Sequence, residues 1–345
     1  MNFVFVKLYL IVAYLAKLYH SESYDCKSKD VQEMMYLIDT VFTPSTNFSN
    51  INNNQANSSL ITFAVYTLTD SKNPSYYYGN TTEVNLNRSK ETKFIVHGWS
   101  ESGNKTWVKD MVKAYFQTNK DYNVIVVDWS YYAEITYSKS IFYVASIGKI
   151  VANFITLAQL PLEKVHVIGF SLGGQIAGHV GKNIQMLQGR KLGRITGLDA
   201  AGPLFCFKNL VDKDKRINAD DAEFVDAIHS NGGVFGCLYN YGTADFRPNC
   251  GTQQSDCLVE TNKRNGSFID KFINDSYCNH YSSTTYYVQS IYDKNKFLAN
   301  KCASCDNYRK HIYDTTSNSS EEYMGEYCSK HASGNYYLST NNLND

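Results

Sequence analysis

The sequence predicts an α/β protein, with a mostly parallel central sheet flanked by helices on both faces. Three observations predict it. Short β-branched segments recur from Ile61 onward, several of them apolar at nearly every position, as strands buried on both faces are. Segments with apolar residues three and four apart lie between them. The 345 residues are 43% hydrophobic and 19% charged, ordinary values for a chain that buries a large core.

Taken in order, strands are expected at Ile61–Leu68, Lys93–Val96, Val124–Val127, Val165–Ile168 and Arg194–Leu198. Val144, Ile147, Val151, Phe154 and Ala158 mark a helix within Ile141–Gln159, and Ile176, Val180, Ile184 and Leu187 mark another after Gly169. Thr46–Ser59 is rich in Asn and Ser and reads as a loop. Beyond about Asn300 the chain turns polar and Tyr-rich and carries Cys302, Cys305 and Cys328, which reads as a stapled tail on the same domain. No internal repeat and no second compact unit are evident, so residues 24–345 are expected to form a single domain.

Residues 1–23 are expected to be a signal peptide rather than part of the fold. The apolar run Leu8–Ala16, bracketed by Lys7 and Lys17, is too short to span a bilayer, and small polar residues follow it at Ser21–Ser23. No integral membrane span is therefore expected. Nine cysteines and eight glycosylation sequons, at Asn47, Asn57, Asn80, Asn87, Asn104, Asn265, Asn274 and Asn318, agree with secretion to the extracellular space. The 33 basic residues balance the 33 acidic ones, so no global field draws the chain to nucleic acid.

Gly169-Phe170-Ser171-Leu172-Gly173 joins the strand Val165–Ile168 to the helix that follows. A strand–turn–helix of the form G-x-S-x-G is so sharp that the residues two away from the serine must lack bulk, while its hydroxyl projects above the sheet. The other use of a Gly-rich helix start, phosphate binding, wants a P-loop lysine or a dinucleotide spacing, and neither is present. Ser171 is therefore the candidate nucleophile. A serine hydroxyl attacks only when a base takes its proton, so an acid and a histidine are required in space. Asp199 ends the strand Arg194–Leu198 and is the candidate acid. Asp212, Asp214 and Asp220 lie in a polar loop and read as solvated charges, while Asp226, in the apolar stretch Phe224–His229, is a lesser rival for the acid or a structural ion-pair partner. His229, His280, His311 and His331 all follow Asp199, and spacing alone does not choose among them. His280 gains weight from Cys278, which can fix its loop.

HGW (His97–Trp99), VVDWS (Val126–Ser130), GFSLGGQIAGHVGK (Gly169–Lys182), GLDAAGP (Gly197–Pro203), DAEFVDAIHSNGG (Asp221–Gly233) and CNHYSSTTYYVQSI (Cys278–Ile291) occur in this order. Together they resemble the pancreatic lipase family of animal triacylglycerol lipases and secreted phospholipases A1, over about Ile61–Cys305. The resemblance implies an α/β-hydrolase fold with catalytic Ser171, Asp199 and His280, and an oxyanion hole formed by the backbone N–H groups of Trp99 and Leu172. It also implies a Cys257–Cys278 disulfide closing a lid loop over 258–277. Within that loop Phe268, Ile269, Phe272 and Ile273 read either as an apolar helical face that meets lipid or as a small satellite core. The substrate implied is a lipid ester at a membrane, micelle or droplet surface.

Departures from the family pattern carry expectations of their own. The C-terminal β-sandwich of longer members is missing, so no colipase is expected. The segment His229–Asp245 is short, as in the phospholipases A1, whereas the lid is nearer the length in triglyceride lipases, so head-group preference stays open among phospholipid, neutral glyceride and galactolipid. Lys213 and Asn218 stand where the family's calcium loop places acids, leaving Asp221; no bound metal and no other cofactor are expected. A Cys237–Cys250 bridge is expected, and with nine cysteines at least one must be unpaired or intermolecular. A catalytically silent lipid-binding or yolk-storage relative is the alternative, and such relatives usually lack a triad residue.

Overall fold

The computed structural model describes residues 55–206, 212–257, 268–312 and 320–340, with backbone alone at 138, 268–273 and 311–312. In chain order the main elements are β1 (Thr62–Tyr66), β2 (Ser75–Tyr78), β3 (Thr92–Val96), α1 (Thr106–Gln117), β4 (Asn123–Asp128), α2 (Val144–Leu157), β5 (Val165–Phe170), α3 (Leu172–Gln188), β6 (Arg194–Leu198), β7 (Val225–Ile228), β8 (Ala244–Pro248), α4 (Phe268–Tyr292), β9 (Leu298–Lys301), α5 (Cys305–Ile312), β10 (Glu321–Tyr323) and β11 (Gly334–Leu338). The expected leader, Cys26, Asn47, Asn265, Asn318 and the first part of the lid lie outside the described residues.

The strands form one sheet in the order β10-β9-β11-β8-β7-β6-β5-β3-β4-β1-β2. From β11 to β4 every neighbouring pair is parallel. Antiparallel strands close both margins. The inner strands β3, β5, β6 and β7 are buried at every position, so apolar residues predominate in them, with Lys93, His166, Arg194 and Asp226 toward their amino ends; β7 was not among the strands expected from the sequence. Side chains alternate between the two faces. Phe94, Val96, Val165, Val167 and Ile195 join one core with Ile147, Val151 and Phe154 of α2 and Ile176 and Val180 of α3. Ile95, Ile168 and Leu198 join the other with Met111 and Tyr115 of α1 and Tyr286, Tyr287 and Ile291 of α4. This is the α/β-hydrolase arrangement.

Strand order reverses at β3: the chain passes from β3 to β4 on one side, then crosses to β5 on the other. Clefts for ligands form outside the carboxyl ends of the strands at such a reversal. The HGW turn leaves β3 there, and Ser171 leaves β5.

The tail contributes more than a staple. β9 and β11 enter the sheet, β11 in parallel beside β8. The turn Gly325–Glu326 closes the amino ends of the inner strands. Arg194 grips Asp226 through two bonds of 2.8 Å and donates to the carbonyls of Gly325 and Glu326. Glu326 accepts from Lys93 at 2.8 Å, Tyr115 at 2.7 Å and Tyr287 at 2.6 Å. Burial alone would raise the Glu326 carboxyl pKa; the charges of Lys93 and Arg194 outweigh it and hold it below the ordinary value.

Candidate active site

The site starts from a strained turn. β5 ends at Phe170 and α3 begins at Leu172, leaving Ser171 alone to reverse the chain at φ 55°, ψ −122°. A side chain rarely tolerates this conformation unless the surroundings enforce it. They do: Ser171 N–H donates to Leu198 O at 3.1 Å, and Ser171 O accepts from Gly174 and Ala201 at 3.0 Å each. A Cβ at Gly169 would lie 2.1 Å from Gly173 O, and one at Gly173 2.2 Å from Val96 O, so the motif's outer residues have no room for a side chain.

Asp199 sits at the end of β6, fully buried and likewise at positive φ. Its Oδ1 accepts from the N–H groups of Ser230 at 2.9 Å and Asn231 at 3.1 Å. Oδ2 accepts from Asn231 N–H at 3.1 Å and lies 2.6 Å from His280 Nδ1. Four contacts leave this carboxylate one orientation. The acceptor fixes the proton on Nδ1, leaving Nε2 as the nitrogen able to take another. The imidazole rests on Phe170, the residue before Ser171, with ring centroids 4.6 Å apart. His280 O accepts from Ser283 Oγ and Ser230 Oγ, which pins that turn of α4 to the loop after β7. The structure thus brings Ser171, Asp199 and His280 to the same rim of the sheet.

The other histidines have different partners. His229 Nε2 is 2.8 Å from Asp245, and its Nδ1 is 2.8 Å from Cys237 O. Both of its nitrogens are thereby engaged away from Asp199. His331 is exposed. The side chain of His311 lies outside the described residues. Asp226 is the ion-pair partner of Arg194. Asp212, Asp214 and Asp220 are exposed.

The HGW turn packs against the serine: a Cβ at Gly98 would lie 3.0 Å from Ser171 Cβ. Each peptide group of the turn is held. His97 O accepts from Trp129 Nε1 at 2.8 Å, Gly98 N–H donates to Glu101 Oε2 at 2.7 Å, and Gly98 O accepts from His97 Nδ1 at 2.9 Å. The Trp99 N–H belongs to the same trans peptide as Gly98 O, so the His97 bond sets its direction as well. The indole of Trp99 donates to Ile135 O at 2.7 Å. Leu172 opens α3, where backbone N–H groups lack helical acceptors and the dipole favours negative charge.

Cys257 and Cys278 are joined, with Cα atoms 5.7 Å apart, two residues before His280. The lid's apolar face falls on side chains outside the described ones. The expected Cys237–Cys250 bridge is not formed. Cys237 pairs with Cys206, and Cys250 pairs with Cys305. The reason lies in the backbone: Cys237 N–H bonds Ala200 O, which carries it to the segment of Cys206. Cys250 follows β8 beside the tail, where Asn249 Oδ1 accepts from Thr340 N–H. Among the described residues Cys302 and Cys328 are unpaired.

The residues that remain of the family's calcium loop do not fit an ion. Lys182 Nζ donates to both oxygens of Asp221 at 2.7 Å and to Arg216 O at 2.8 Å, so an ammonium already occupies those acceptors. Among the described residues no cluster of His, Cys, Asp or Glu suits a metal, and no helix is long and apolar enough to cross a membrane.

Sequence reasoning missed Glu101 and Tyr281. Glu101, only 2% exposed, accepts from Gly98 N–H, from Trp107 Nε1 at 3.0 Å and from Tyr281 OH at 2.7 Å. No local pattern marks it, because an acid within the polar run Ser100–Lys105 reads as solvated.

Comparison with known proteins finds relatives of the chain. The family model described as Lipase matches residues 20–344. The chain is 34% identical over 236 residues to pancreatic lipase-related protein 2 of Cavia porcellus, covering 66% of this chain and 49% of that protein. Against lipoprotein lipase of Mus musculus it is 33% identical over 247 residues, covering 67% and 50%. Against pancreatic lipase-related protein 2 of Mus musculus it is 32% identical over 267 residues, covering 72% and 53%. The chain spans about half the length of the curated relatives it matches.

Proposed function

The chain belongs to the lipase family, and from that premise we propose that it is a secreted serine hydrolase of carboxylic esters in lipids, working through an acyl-enzyme. The observation that carries the proposal is the 2.6 Å contact between His280 Nδ1 and Asp199, made beside the strained Ser171 turn.

In this mechanism Ser171 Oγ attacks the ester carbonyl while His280 Nε2 takes its proton. Asp199 holds the imidazole in the tautomer that allows this and stabilises the imidazolium that results. The Trp99 and Leu172 N–H groups receive the oxyanion of the tetrahedral intermediate, each worth about 3 kcal/mol in comparable sites. As the intermediate collapses, His280 returns the proton to the leaving alcohol. Water then repeats the sequence on the acyl-serine, releasing the fatty acid. The acyl bond is made and broken at Ser171 Oγ, and the proton transfers and charge stabilisation that accompany it are supplied by these side chains and amides.

Secretion is supported by three disulfides among the described residues and by the exposure of Asn57, Asn80, Asn87, Asn104 and Asn274. The relatives are named as lipases, which favours a lipid ester as substrate, and the Cys257–Cys278 bond closes the segment suited to act as a lid. Fatty-acid release from phosphatidylcholine vesicles and triolein emulsions tests the proposal and resolves the head-group question. Release from at least one of them is expected. Its absence from both, with folded glycosylated protein, contradicts the lipid assignment.

A further inference from the structure

A carboxylate buried among neutral groups is costly unless hydrogen bonds replace its lost water. Glu101 has three such bonds, and their donors come from three separate segments: the HGW turn, α1 and α4. The α1 and α4 donors, Trp107 and Tyr281, also flank the Phe170 ring, with centroids 5.6 Å and 5.0 Å away. His280 lies on that same ring. The Gly98 donor belongs to the turn that packs on Ser171. One buried carboxylate therefore spans the distance between the turn expected to bind the oxyanion and the helix that presents the base.

We propose that Glu101 is a positioning residue for acyl transfer: through Gly98 N–H and Tyr281 OH it locks the Gly98–Trp99 turn at a set distance from the His280 segment. This rests on the reading of Ser171 and His280 as nucleophile and base. Glu101 itself touches no reacting atom. Its effect falls on the tetrahedral intermediate, because the turn amide must meet the developing oxyanion while the imidazole holds its proton. Substrate binding before attack depends little on that register. Burial, then the neighbouring Glu101 charge, raises the Tyr281 phenol pKa, so it remains a donor throughout the pH range of the reaction.

The test is Glu101→Gln, which keeps the shape and removes the charge, assayed on a soluble short-chain ester beside wild type, Tyr281→Phe and Ser171→Ala. In Glu101→Gln kcat is expected to fall about 10–100-fold, the range a misplacement near 1 Å produces. KM should stay within twofold, and affinity for an alkylboronic acid, a tetrahedral mimic, should fall by the same factor as kcat. Tyr281→Phe, which loses one bond of three, should lose kcat several-fold with the same KM split; it carries the test if Glu101→Gln fails to fold. Folded Glu101→Gln retaining wild-type kcat, or losing only KM, overturns the proposal, as does wild-type kcat in Tyr281→Phe. Turnover surviving in Ser171→Ala would instead overturn the reading beneath it.

Discussion

The two rims of the sheet use the same residue types to different ends. At the carboxyl rim, Ser171 and Asp199 sit at positive φ, and a single His–Asp contact joins segments 81 residues apart. At the amino rim, Lys93, His166, Arg194 and Asp226 lie in regular strands, and their charges are balanced in a network with Glu326. His166 shows the contrast best. Its Nε2 bonds Thr196 Oγ1 at 2.7 Å, and Nδ1 is buried 3.9 Å from Glu326 with no hydrogen-bond partner among the described residues. Two of the three residues proposed for the chemistry hold a strained backbone, whereas charge is neutralised where the tail is docked.

Exchanging the rims' roles by mutation would break this comparison. His280→Ala is expected to lower kcat by about 10⁶-fold, as loss of the base does in a serine protease, with a near-wild-type melting temperature. Arg194→Leu should do the reverse. It leaves Asp226 and Glu326 buried without their guanidinium, which costs about 3–5 kcal/mol of stability, while specific activity of the folded fraction is retained. Kinetics and urea unfolding on both variants check this. A destabilised His280→Ala, or an inactive but stable Arg194→Leu, would show that the rims do not divide the labour.

The smallest effect sharpens the contrast through pH. Burial, aided by Arg194 and Lys93, pushes the His166 pKa well below its ordinary 6.5. The unfolded chain therefore binds a proton below that pH that the folded chain refuses, so stability falls as pH drops through about 6.5. His179, pushed down to about 4 by burial and Lys182, acts in the same sense. His166→Gln should reduce the acid slope of unfolding free energy by about 1.4 kcal/mol per pH unit between pH 6 and 5. An unchanged slope would place that proton elsewhere.

Legibility in the sequence followed the range of the interactions. β1 and β3–β6 were readable because burial makes each rich in β-branched and other apolar residues, despite Lys93, His166 and Arg194 near their amino ends. β2 was not, since Ser75–Tyr78 carries no buried position. Nor were β9–β11, short strands whose pairing with one another and with β8 no local period encodes. The Ser171 turn was legible because its sterics are local. The partners of Cys237 and Cys250, and the role of Glu101, are set by contacts between distant segments, and residue spacing carries no trace of them.

The most direct measurement is mass spectrometry after exposure of folded protein to a fluorophosphonate. The account predicts one adduct, on Ser171, lost in Ser171→Ala and strongly slowed in His280→Ala. Wild-type protein that takes no label, or labelling that persists undiminished in Ser171→Ala, would contradict it.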